Sequence, residues 1–141
     1  MIGTKRVAVL ALIAMTFAAA VLLAEERMRA GLWEVTTTLD GKQSGVMGSN
    51  CYTPAMVELA NMPANMMREA TEKSVTKGGH CTLNDFKLEG NKISMTTSCG
   101  GRLMVYRSTY SGETFETLVT STEAGVKKVI STKGRRTGDC K

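Results

Sequence analysis

Four cysteines, Cys51, Cys81, Cys99 and Cys140, carry the most definite chemistry in the chain. None forms a Cys-x-x-Cys pair, so the spacing of a zinc ribbon or a thioredoxin-type redox motif is missing. An even cysteine count in an exported domain points to disulfides before metal ligands, and four cysteines allow three pairings. The sole histidine, His80, stands next to Cys81 in a Gly-rich stretch. Nucleophilic catalysis would need it beside a Ser or free Cys with an orienting acid, and no Gly-x-Ser-x-Gly is present. Asp85, Glu89, Glu113 and Glu116 could supply a carboxylate pair for general acid–base work. They alternate with Lys and Thr, the pattern of solvated strand positions.

Methionine offers a second chemistry. Met56, Met62, Met66 and Met67 lie between Cys51 and Cys81, and thioether sulfurs bind Cu(I). Met62 and Met66 are four apart, on one helical face, and His80 is close in sequence; these three are the candidate metal ligands. The competing expectation is that the methionines fill the space between a helix and a sheet, with no metal or cofactor held. Trp33 and Tyr106 are candidates for lining a ligand cavity at the mouth of a curved sheet. The competing expectation is that Trp33 is a core anchor. An aromatic content of 5% argues against carbohydrate binding.

The elements that would position these residues are mostly short strands. Trp33, Val35, Thr37 and Leu39 alternate with Glu34, Thr36 and Thr38. Asp40-Gly41 is a hairpin signal, with a second strand at about 43–50. Ile93, Met95, Thr97 and Cys99 alternate again, and Gly100-Gly101, Ser111-Gly112 and Gly125 separate three further strands. Between the first two cysteines the pattern turns helical, at about 53–73. Thr53 can cap a helix whose first position is Pro54, with Met56, Leu59 and Ala60 on one face. Pro63 can start a second helix through Met66, Met67 and Ala70.

A turn at Gly90-Asn91 sets Glu89 opposite Lys92, Leu88 opposite Ile93 and Phe86 opposite Met95. In that register Cys81 would face Gly100. A one-residue bulge near Asn84-Asp85, or a three-residue turn, brings Cys81 opposite Cys99. We therefore expect a Cys81–Cys99 bond, and Cys51–Cys140 by elimination. The second bond requires the helical insert to cross from one end of the sheet to the other. The fold expected is mainly β: an antiparallel, strongly curved meander or near-closed barrel of about six or seven strands, with a short helical insert and two disulfides.

The N-terminus bears on compartment. Lys5 and Arg6 precede an apolar run from Val7 to Ala24, and no acid occurs before Glu25. This is the pattern of a secretory signal over residues 1–24, cut after Ala20 or after Ala24, leaving 25–141 as one β domain. The alternative is an uncleaved anchor. The net charge of +5 falls by Lys5 and Arg6 once that segment is removed. The remaining cations gather at Lys127, Lys128, Lys133, Arg135, Arg136 and Lys141 without interleaved aromatic residues, so nucleic acid is not an expected partner. Membrane contact is expected only through the signal segment during export.

With those residues in view, the chain resembles the bacterial domain-of-unknown-function family 3617, a set of small exported proteins. The resemblance rests on Gly31-Leu32-Trp33-Glu34-Val35-Thr36-Thr37, on Cys51 with Thr53-Pro54, and on Cys81 through Phe86 and Gly90-Asn91 to Cys99. Gly134-Arg135-Arg136 and Gly138-Asp139-Cys140 complete it. Family members often carry a Met- and Pro-rich stretch between the first two strands; here it is reduced to Asp40–Gly48 with one Met. The resemblance implies a periplasmic location and disulfides, and no activity. The function expected is a non-catalytic binding or interaction module for a small apolar ligand or an envelope protein, with copper handling through the Met-rich insert as the alternative.

Overall fold

The computed structural model describes residues 26–43 and 48–141. The expected signal segment and the middle of the expected second strand lie outside the described residues. The elements in chain order are β1 (Gly31–Leu39), β2 (Lys42–Gln43), β3 (Gly48–Tyr52), α1 (Pro54–Asn61), α2 (Ala64–Thr76), β4 (Cys81–Glu89), β5 (Lys92–Cys99), β6 (Arg102–Tyr110), β7 (Thr114–Glu123) and β8 (Val126–Gly138). They form one curved, unclosed antiparallel sheet in the order β2-β1-β8-β7-β6-β5-β4, with β3 also on β1.

β8 occupies one edge of β1 over its length, so β2 and β3 share the other edge as one interrupted strand. β4 to β8 is a plain meander. The departure from a simple meander is that the first strand lies against the last. The sheet is therefore a ring of strands cut once, between β3 and β4, and the helical insert spans the cut.

Local chemistry sets this register. Asp40-Gly41 makes the two-residue turn, with φ of 49° and 78°, values a glycine meets without strain. The Asp40 carboxylate then accepts the Val129 amide at 2.7 Å, fixing the β1–β2 turn against β8. In the β4–β5 hairpin Glu89 faces Lys92, Leu88 faces Ile93 and Phe86 faces Met95. The register shifts between Leu83 and Asp85, so the bulge and not a longer turn brings Cys81 opposite Cys99.

Both disulfides form as paired from the sequence, Cys81–Cys99 and Cys51–Cys140. β1 runs opposite to β3 and β8, so Cys51 and Cys140 leave the sheet at the same end. Along the meander direction alternates, and β4 begins at the opposite end, where Cys81 and Cys99 sit. The insert therefore crosses the length of the sheet.

The helices differ from expectation in two respects. Thr53 stands at the N-cap of α1, but its side chain makes no capping bond; its carbonyl accepts from Met56 and Val57. α2 runs to Thr76 instead of stopping near 73, because Glu69 pairs with Lys73 one turn on and the Thr76 hydroxyl donates to the Glu72 carbonyl.

The core lies where the insert meets the sheet. Met28, Trp33, Val57, Met67, Ile93 and Tyr110 are its buried apolar members. Trp33 is fully buried at 0% exposure. Its ring packs on Phe115 at 5.5 Å and edge-on to Tyr52 at 6.3 Å, and its indole N–H donates to the Arg29 carbonyl. Gly134 leaves room for that stack. A Cβ there would run into the ring of Phe115.

Candidate functional site

A strap of residues, Glu26–Ala30, closes one end of the curved sheet. Met28 bridges to Gly112 in the β6–β7 turn, and the Arg29 and Gly112 amides bond across that bridge. Asn61, at the end of α1, mimics a strand partner: its side-chain amide donates to the Met28 carbonyl at 2.7 Å and accepts the Met28 N–H at 3.1 Å. Arg27 donates to the Ala60 and Met62 carbonyls (2.8 and 3.0 Å) and to the Gly90 carbonyl (2.9 Å). A cation at the end of α1 both satisfies its last carbonyls and opposes the negative end of the helix dipole. The insert, the strap and the β4–β5 turn are thereby locked together.

This arrangement leaves a cavity of about 270 Å³ between the insert and the sheet. One wall is a row of direct cross-strand partners, Phe86 on β4, Met95 on β5 and Tyr106 on β6. Opposite stand Met56, Leu59 and Ala60 of α1 and Met67 and Thr71 of α2. Met28, Ile93 and Tyr110 are the buried floor. Met56 is 64% exposed and Leu59 is also exposed, so the opening lies beside α1.

Among the described residues, no Asp, Glu, Lys, Arg or His lines the cavity. Burial first, and then the neighbouring Tyr106 phenol, push the Tyr110 hydroxyl above the ordinary phenol range, so it stays neutral. The chemistry available is contact with thioethers and aromatic rings, plus the Thr71 and Tyr106 hydroxyls. An ion entering it would lose its hydration without gaining an opposite charge.

The residues singled out from sequence fall in different places. Tyr106 lines the cavity, whereas Trp33 sits in the aromatic core outside it. Met62 and Met66 line a separate open hollow with Glu26, Pro54 and Glu58. His80 is exposed and follows α2, whose 13 residues span roughly 20 Å, so the structure does not bring it to Met62 and Met66. A different set of sulfurs shares one cavity: Met28, Met56, Met67 and Met95. Among the described residues, no three His, Cys, Asp or Glu side chains cluster as a metal site.

The carboxylates considered for catalysis mostly face cations. Glu89 pairs with Lys87, Glu113 with Arg29 and Arg136, and Glu116 with Lys133. The late cations are partly engaged in the same way. Arg135 bonds Glu34 at 2.9 Å, and Arg136 bonds the Ala30 carbonyl at 2.8 Å and the Asp139 carboxylate.

Compared with known proteins, residues 28–140 match the family described as "Protein of unknown function (DUF3617)". No curated protein and no solved structure matches the chain.

Proposed function

We propose that this chain, which belongs to the DUF3617 family, is an exported, non-catalytic periplasmic binding protein that holds a small uncharged apolar ligand between its helical insert and its sheet. The observation that carries this reading is the cavity of about 270 Å³, with a buried floor and, among the described residues, no carboxylate or base in its walls. Small-molecule sites are concave, mostly apolar and built around a few polar groups, here the Thr71 and Tyr106 hydroxyls. Two disulfides and no free cysteine suit an oxidising compartment. The apolar N-terminal run behind Lys5 and Arg6 supplies a route there.

A second reading, soft-metal handling, draws on the four thioethers around the same cavity. Native mass spectrometry of protein recovered from the periplasmic fraction separates the two. The expected species starts after Ala20 or Ala24, lacks four thiol hydrogens and carries an organic adduct. A Cu(I) adduct in its place would favour the metal. Full-length chain with free thiols in the cytoplasmic fraction would defeat the export reading.

A further inference from the structure

We infer that the cavity is built for a one- or two-ring aromatic molecule and not for a lipid acyl chain, an inference that rests on the binding function proposed above. Size comes first. A dry apolar cavity of about 150 Å³ accepts benzene. The space here, about 270 Å³, is a little under twice that, so by the same ratio it accepts a molecule of two fused rings.

The lining points the same way. Phe86, Met95 and Tyr106 lie directly opposite one another on adjacent strands, so their side chains form one continuous wall. Met67 and Met28 stand at its buried side. Sulfur and aromatic carbon are polarizable, and thioethers contact ring edges favourably. A flat ring against such a wall is touched on its face by rings and at its edge by sulfur. Unbranched methionines also adjust to rings of differing outline, so the lining tolerates several members of one class.

The lining works against a chain. The strap is anchored by Asn61 and Arg27 at the closed end, and the floor residues Met28, Ile93 and Tyr110 are buried. An acyl chain entering past Met56 and Leu59 meets the same wall without a ring face or edge to present to it. Such a chain forgoes the ring and sulfur contacts that favour a flat molecule.

The test is a calorimetric titration of the disulfide-bonded protein, purified from cells carrying the full coding sequence, with 1-naphthol, indole and 1-dodecanol. The expected result is saturable binding of the two aromatics, with 1-naphthol at least about tenfold tighter than 1-dodecanol. Ala60→Leu adds three carbons to the α1 wall and should weaken 1-naphthol at least about tenfold, with the fold checked by its thermal melt. If that variant does not fold, the wild-type comparison decides. Tighter binding of 1-dodecanol would overturn the ring assignment and leave the binding function standing. Unchanged 1-naphthol affinity in folded Ala60→Leu would also overturn it. Failure of all three compounds to bind would remove both readings.

Discussion

Replacing Cys51 and Cys140 together by serine should cost more stability than replacing Cys81 and Cys99, although burial argues the reverse. Cys51 and Cys140 are exposed, whereas Cys81 and Cys99 are half-buried between β4 and β5. A packing argument therefore ranks the inner bond higher. Chain entropy ranks it lower. The bonds close loops of 89 and 18 residues, the second nested within the first. With the inner bond intact, the outer one closes an effective loop of about 70 residues, worth about 4.4 kcal/mol in the chain-entropy treatment. The inner loop gives about 3.2 kcal/mol on the same basis. Domains of this kind have roughly 5–15 kcal/mol in total, so either loss is large. Urea unfolding of the two double variants measures both, and the outer pair should lie about 1 kcal/mol lower. An inner variant as unstable as the outer, or more so, would refute the entropic reasoning and place the contribution in native packing. An outer variant within about 1 kcal/mol of wild type would refute it too, and fast amide exchange confined to β3 would then show local fraying.

Three other outcomes are open to measurement. Gly134→Ala should displace Phe115 from the Trp33 cluster, cost about 1–3 kcal/mol and reduce the near-UV dichroism of the aromatic core. Arg27→Ala removes the donor to the Ala60, Met62 and Gly90 carbonyls; it should cost about 1.5–3 kcal/mol and raise hydrogen exchange at the end of α1. The folded state holds the Tyr110 proton more tightly than the unfolded chain does, so this group's contribution is intact below the ordinary phenol range. As pH rises through and above about 10 the unfolded chain ionises first, and stability should fall by up to about 1.4 kcal/mol per pH unit from this group. Tyr110→Phe should flatten that alkaline limb relative to wild type in pH-dependent urea melts, and an unchanged limb would remove Tyr110 as its cause.

What could be read from the sequence was local. The Gly90-Asn91 turn sets the pairing of Phe86 with Met95, and with it two members of the cavity wall, because a two-residue turn leaves strand register no freedom. The shared helical face of Met56, Leu59 and Ala60 is the one that lines the cavity. Helical spacing could not say which methionines of the second helix face inward. The expected shared face of Met62 and Met66 does not form, because Met62 is the extended residue that ends α1, and the entry of α2 at Pro63 turns Met67 and Thr71 toward the sheet. Met28 carried no signal, since it precedes every periodic segment and is placed by Gly112 and Asn61, distant partners that no spacing reveals. The contact of β1 with β8 was hidden for the same reason. Alternation shows which face of a strand is buried and is silent on its neighbour.

That contact sets an order of assembly. The hairpins from β4 to β8 each close through a short turn and can form as soon as their residues are available. β1 can close locally only on β2 and β3; its other edge waits for β8, since Leu32 pairs with Gly138 and Arg136 donates to the Ala30 carbonyl 106 positions away. Until β8 exists, β1 and its partners β2 and β3 have no sheet to join, and Trp33 lacks its cross-strand partner Arg136. The first strand in the chain is therefore among the last to dock, and a chain truncated before Gly134 keeps a meander but loses the strand partners of Leu32, Trp33, Glu34 and Val35.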